Sequence, residues 1–351
     1  MKRIFFRRLT GLAVAAAVCL SLAACQRQTE VKTQIFAMDT VMSITLYGTD
    51  QKACEEALNQ AVDRIYALEA LLSVTRTGSE IYAVNHAGGE WTRLSPDTAA
   101  LLEGALALCD LTGGALDVTA YPAVRAWGFT TGEHRIPSSA ELAQLAARID
   151  YTQVEQNEDN SSVRLPQDME LDLGSVAKGY VGDCLVQLLE SFDGVDGALL
   201  DLGQSTIQAL GPRSDGTPWR IGIQDPAGEG YLGVLELSGK AMGTSGGYQR
   251  YFEEDGVRYW HILDPATAAP ARAGLAAVAV AGPSGLVCDG LSTALFVMGL
   301  NQASSLISEL SRSGYEAIFL MDDGSVALTP GMESSFTLAK GYEDREVTVL
   351  P

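Results

Sequence analysis

GALLDLGQSTIQALGPRSDGTPWRIGIQDPAGEGYLGVLELSGKAM, residues 197–242, carries the pattern that sets the architecture. Short runs of apolar and branched residues are cut by Gly, Pro and Asp, which predicts strands at 197–210, 217–224 and 232–242 with no helix between them. More strands are expected at 257–263, 275–281 and near 315–328, interrupted by helices from about Asp289 and over 302–312. Strict alternation of strand and helix would build a doubly wound sheet. Here strand pairs dominate the second half, so the expectation is an α+β domain with antiparallel or mixed sheets and flanking helices.

Upstream, the pattern predicts a strand over Gln34–Tyr47 and then a helix over Lys52–Leu72, with Leu58, Ala61, Val62, Ile65, Leu68 and Leu72 at helical spacing. A second helix runs from Pro96 to about Leu111, where Gly113-Gly114 stops it, and Ser138-Ser139-Ala140-Glu141 forms a capping box that opens a third. A strand at 161–173 leads into a helix from about Ser175 to Phe192. No Pro/Ser linker, repeat or long charge block divides the chain, so a single domain is expected over residues 34–345.

The first 24 residues have the form of a lipoprotein signal. Lys2, Arg3, Arg7 and Arg8 precede the apolar stretch Gly11–Leu22, which ends in Leu22-Ala23-Ala24-Cys25. That stretch is short of the roughly 18 apolar residues a retained span needs. Cys25 is therefore the expected lipidated N-terminus, exported and held on the extracytoplasmic face of a membrane. Residues 25–33 read as a polar tether, a leash of roughly 10–20 Å by flexible-chain scaling. The formal net charge is −20, and loss of the four basic leader residues leaves −24, which argues against nucleic acid as a partner. Cys54, Cys109, Cys184 and Cys288 lie in apolar surroundings without a CxxC pair, the pattern of buried free thiols.

Several stretches can carry chemistry. In Val287-Cys288-Asp289-Gly290-Leu291-Ser292-Thr293, Asp289 and Thr293 stand four apart and stack two oxygens on one helix face, placed near its N-terminus. Few protein oxygens completed by phosphate and water suit Mg²⁺; an acid merely favoured by the helix dipole would look the same. Leu171-Asp172-Leu173-Gly174-Ser175-Val176-Ala177-Lys178-Gly179-Tyr180 runs from strand into helix. Lys178 opposes the dipole there unless an anion sits nearby; a plain connection with a surface lysine is the alternative. His261, in Trp260-His261-Ile262-Leu263-Asp264-Pro265, is a candidate base, although a lone strand histidine is more often structural. Gly113 to Thr119 with Trp127-Gly128-Phe129, and Gly243-Thr244-Ser245-Gly246-Gly247-Tyr248, read as small-residue loops that a ligand can approach closely.

In this order, together with Ala37-Met38-Asp39-Thr40 and Ser79-Glu80-Ile81 followed by Asn85, the stretches resemble the ApbE family of FAD:protein FMN transferases over about residues 34–330. The resemblance implies an enzyme that takes FAD as substrate with Mg²⁺ as cofactor. It would join FMN through a phosphoester to a Thr or Ser hydroxyl of an exported or membrane electron-transfer protein and release AMP. It further implies Asp289, Thr293 and the Ser175 carbonyl as metal ligands. Met38, Ala115, Leu116, Asp117, Asp172, Lys178 and Leu263 are the implied FAD contacts, with His261 and Asp289 as catalytic residues. Asp39 stands where the family usually has glycine, Thr75 where an aromatic commonly packs near the flavin, and Ala268 where glycine is usual, all bearing on FAD affinity and loop shape. An FAD pyrophosphatase yielding free FMN and AMP, or a non-catalytic flavin-binding lipoprotein, would carry the same clusters.

Overall fold

The computed structural model describes residues 28–228 and 230–351, so the leader and Cys25 lie outside the described residues. A nine-stranded sheet forms the frame, its strands taken in chain order: β1 (Thr29–Ala37), β2 (Thr40–Gly48), β3 (Val195–Asp201), β4 (Thr206–Leu210), β5 (Ala241–Gly246), β6 (Leu275–Gly282), β7 (Glu316–Met321), β8 (Val326–Leu328) and β9 (Val347–Val349). Neighbours are antiparallel except β8 and β9, which run parallel. The class is α+β.

Three of the expected single strands are hairpins, the closing one near 315–328 among them, which divides into the antiparallel pair β7 and β8. The run expected over Gln34–Tyr47 folds back at Met38-Asp39, where both residues take left-handed φ values of 50° and 59°, as a two-residue hairpin turn requires. The turn lacks the Gly or Asn that announces such a reversal. Pairing also draws Thr29–Thr33 into β1, so the stretch read as tether is strand as far back as Thr29. Likewise 197–210 turns at Gly203-Gln204. The expected strand over 232–242 is divided between two sheets, Tyr231–Leu237 and β5. The strand expected at 161–173 is regular only over Ser162–Arg164.

Four helices matter to the site: α1 (Gln51–Leu72), α2 (Pro96–Leu111), α3 (Ala177–Leu189) and α4 (Gly285–Leu310). Asp50 caps α1 by accepting from Lys52 N at 2.9 Å and Ala53 N at 3.1 Å, and the helix buries Cys54, Ala57, Ala61, Ile65, Leu68 and Leu72. That stripe packs with Met42, Ile44, Leu46, Leu185, Leu295 and Phe296 on one face of the sheet. Each such side chain contributes about 1.5–3 kcal/mol on burial. The other face carries Ile207, Ala209, Met242, Ala277, Ala279 and Ile318. It is covered by a small sheet of Trp219–Gln224, Tyr231–Leu237 and Phe336–Leu338. The central strands are therefore buried on both sides, and four free cysteines sit among the described residues.

Where two helices were expected, from Asp289 and over 302–312, one run extends from Gly285 to Leu310, broken at Gly299 (φ 74°). Its N-cap is Ser284, so Asp289 lies a full turn inside the helix rather than at its start. The span from Gly285 to Ser313 is long and apolar enough to cross a bilayer, yet its apolar side chains belong to the main core.

Candidate active site

One cavity of about 690 Å³ opens beside the β1–β2 turn, within the usual range for small-molecule sites. Every catalytic, metal-binding and FAD-contact residue expected from the sequence lines it: Met38, Ala115, Leu116, Asp117, Asp172, Ser175, Lys178, His261, Leu263, Asp289 and Thr293. Positions more than 250 residues apart in the chain meet because β5 and the turns beside it bring α3, α4 and the β1–β2 hairpin to one end of the sheet.

Asp289 is 5% exposed and, among the described residues, has no cationic partner within ion-pair distance. Its Oδ2 accepts from Gly179 N at 2.9 Å and its Oδ1 from Thr206 Oγ1 at 3.1 Å. Burial pushes its pKa up, and the nearby Lys178 charge opposes that rise. Thr293 Oγ1, one turn on, lies 3.0 Å from Ser245 Oγ, which is also 2.9 Å from Ser292 Oγ. The Gly179 amide would close a turn onto the Ser175 carbonyl, but it donates to Asp289 instead. No other described residue donates to that carbonyl. A carboxylate, a hydroxyl and a free carbonyl are hard oxygen donors, and a buried carboxylate destabilised by desolvation is what a divalent cation would relieve; the residues fit Mg²⁺.

His261 sits opposite. Its backbone N–H donates to the Arg250 carbonyl at 3.1 Å, and its Nδ1 lies 3.2 Å from the same oxygen. A carbonyl only accepts, so Nδ1 carries the proton and Nε2 is left as acceptor. Burial, with the Arg250 and Lys178 charges adding to it, takes the imidazole pKa down to about 4. Asp172 turns its Oδ1 onto Gly174 N at 2.8 Å; burial raises its pKa while Arg250 and Lys178 lower it. Asp117 is occupied by its own loop: Oδ1 takes Thr119 N (2.8 Å) and Oγ1 (2.6 Å), and Oδ2 takes Tyr151 N (3.0 Å). It shapes the wall formed by Ala115 and Leu116.

Two sequence readings need correction. Gly243–Gly246, expected as a loop, is buried strand β5; small residues are required because the α4 backbone lies directly on it, and a Cβ at Gly243 would meet the Cys288 carbonyl oxygen at 2.4 Å. Trp127 is no ligand-facing loop residue but the buried centre of a lobe with Phe252 and Tyr259, its Nε1 donating to Ala268 O at 2.8 Å. Of the three departures, Asp39 lines the cavity, Ala268 is buried with φ 54°, and Thr75 is exposed and outside the lining. Arg250 was missed by sequence reasoning; it lines the cavity with Nη2 donating to Phe129 O at 2.7 Å. Its signal was a lone arginine in a polar turn.

The ApbE family model matches residues 38–319, which takes in the cavity-lining residues. The chain belongs to the ApbE family. An FAD:protein FMN transferase of Treponema pallidum is 34% identical over 293 residues, 79% of this chain and 80% of that protein. One from Haemophilus influenzae is 32% identical over 351 residues, covering 95% and 99%. Among solved structures, the ApbE protein of Thermotoga maritima superposes with a TM-score of 0.80 at 29% identity, covering 88% of this chain and 99% of its own. The flavin transferase ApbE of Vibrio cholerae gives 0.76 at 27% identity, with the same coverage.

Proposed function

We propose that this ApbE-family protein is a Mg²⁺-dependent FAD:protein FMN transferase that moves FMN from FAD to a Thr or Ser hydroxyl of another protein and releases AMP. The observation that carries the reading is the convergence, in one cavity, of the Asp289–Thr293–Ser175 oxygen set, the Lys178 and Arg250 cations, and His261 held with Nε2 free. Bound Mg²⁺ supplies positive charge against the negative charge that builds on phosphoryl oxygens. Asp289, Thr293 and the Ser175 carbonyl would hold it. Lys178 and Arg250 add positive charge to the cavity that a diphosphate would meet, and Met38, Ala115, Leu116 and Leu263 are the walls a flavin nucleotide would pack against. His261, neutral at physiological pH, takes the acceptor hydroxyl proton on Nε2. The hydroxyl oxygen bonds to the FMN phosphorus, the phosphorus–oxygen bond of the diphosphate breaks, and AMP departs with the bridging oxygen.

The test is incubation with FAD, Mg²⁺ and an acceptor protein, read by intact mass. The expected result is FMN mass on the acceptor and AMP in solution, both lost in Asp289→Ala. Free FMN with none on protein would identify a hydrolase. Flavin binding without AMP release, in the parent protein as in Asp289→Ala, would identify a carrier.

The leader sequence supports a further part of the reading: Cys25 bears lipid, and the enzyme works on the extracytoplasmic membrane face on membrane-borne or exported electron-transfer proteins. Of the tether expected over residues 25–33, the part from Thr29 onward is strand β1. Cys25→Ala is expected to release the protein from the membrane fraction; retention there would refute the anchor.

A further inference from the structure

Helices α3 and α4 each carry the pattern Gly-x-x-x-Asp near the start: Gly179 with Asp183, and Gly285 with Asp289. The four-residue spacing puts glycine and carboxylate on one face in each helix. The helices meet at the glycines, where a Cβ on Gly179 would lie 2.1 Å from the Gly285 carbonyl oxygen and a Cβ on Gly285 would lie 2.4 Å from the Gly179 carbonyl oxygen. Only backbone fits there.

The carboxylates are exchanged across this contact. Asp289 of α4 accepts from Gly179 N, in the first turn of α3, at 2.9 Å. Asp183 of α3 accepts from the first turn of α4: Oδ1 takes Gly285 N at 2.6 Å, and Oδ2 takes Leu286 N at 3.0 Å and the N-cap Ser284 Oγ at 2.8 Å. Gln208 Nε2, from β4, completes the set at 2.9 Å on Oδ1. Asp183 thus satisfies four donors with no cation among them, and each helix supplies the acid that stabilises the other's N-terminus. The two halves have different duties: the Asp289 half faces the cavity, whereas Asp183 is absent from its lining.

We infer that Asp183 is a positioning residue for the metal site, an inference that rests on the Mg²⁺ reading above. Asp183 fixes the register of α4 on α3. That register places Asp289 where it captures the Gly179 amide, and the capture leaves the Ser175 carbonyl free. If α4 slips, the Gly179 amide closes back onto Ser175, and two oxygen donors are lost together.

The test measures Mn²⁺ binding to the full protein with FAD present, by the paramagnetic resonance signal of free Mn²⁺, beside FAD affinity without metal and thermal stability. Asp183→Asn is expected to weaken Mn²⁺ binding by about tenfold or more, the usual scale for outer-shell partners. Ser284→Ala, which removes one donor of four, falls between it and the parent, and FAD affinity without metal stays within about twofold. Should Asp183→Asn fail to fold, Ser284→Ala and Gln208→Leu carry the same comparison. Asp225→Asn, a buried carboxylate held by Tyr342 and outside the cavity lining, serves as control for lost stability alone. Parental Mn²⁺ affinity in Asp183→Asn, Ser284→Ala and Gln208→Leu would overturn the inference while leaving the metal site standing. A parent protein that takes up no Mn²⁺ would overturn both.

Discussion

Gly243→Ala separates the packing of α4 from its chemistry. A Cβ at this position in β5 would lie 2.4 Å from the Cys288 carbonyl oxygen, 2.5 Å from its carbon and 2.7 Å from Asp289 N, where ordinary contact begins near 3.4 Å. The methyl is a full ångström too close to a helix backbone that cannot rotate aside as a side chain would. Relief requires the first half of α4 to lift off β5, carrying Asp289 and Thr293 with it. Overpacking of this kind costs about 1–3 kcal/mol, a fall in Tm of a few degrees for a domain of this size. Displacing a reacting group by about 1 Å costs on the order of 100-fold in rate. The comparison is Ile307→Val, fully buried in the half of α4 beyond Gly299 and expected to lose about 1 kcal/mol. With Tm from calorimetry and AMP release as the rate, Gly243→Ala should lose activity far beyond its loss of stability, and Ile307→Val should not. Equal activity at equal stability in the two variants would refute the coupling of β5 to the site.

If His261 is the base proposed above, the pH–rate profile of kcat/KM should show an acid limb near pH 4 and a plateau through neutrality, because the imidazole must be neutral to accept a proton. Arg250→Gln removes a cation that disfavours the imidazolium, so its limb should move to higher pH; an unmoved limb would argue against His261 as base. Arg64 grips Asp97 through two bonds of 2.8 and 2.5 Å, with Tyr180 OH adding a third at 3.3 Å. The Arg64 guanidinium holds the Asp97 carboxyl below its ordinary pKa of 3.8, so its contribution is full above that value and is lost as pH falls through the lowered one. Asp97→Asn should lose about 1–2 kcal/mol in neutral urea unfolding, with the gap to the parent closing in acid.

The α1 stripe, the Pro96–Leu111 helix and the strand-rich second half were legible because each announces itself by period or cap. The Met38-Asp39 reversal was not, because Met38 carries no turn signal and Asp39, though it tolerates the left-handed region, stands where glycine would announce the hairpin; the sheet imposes it by pairing Ala37 with Thr40. The Gly243 strand read as a loop because the reason for its small residues, a helix lying on it, is a tertiary contact with residues 45 or more positions away. Asp289, Thr293, Lys178 and His261 stood out as chemically awkward for their local setting, and only the ordered set joined them. Arg250 had no such local anomaly, since an arginine in a polar turn is unremarkable until the fold closes His261 onto its carbonyl.

The break at Gly299 gives α4 the mechanics of two rods on a joint. The first rod is clamped between β5 and α3 and tolerates almost no change of position. The second, from Leu300 to Leu310, presents Asn301, Gln302, Ser305, Ser308 and Glu309 to solvent beyond that joint. A fluorophore or affinity handle attached at these exposed positions would sit beyond the joint from the carboxylate, which makes this rod the natural place to instrument the enzyme.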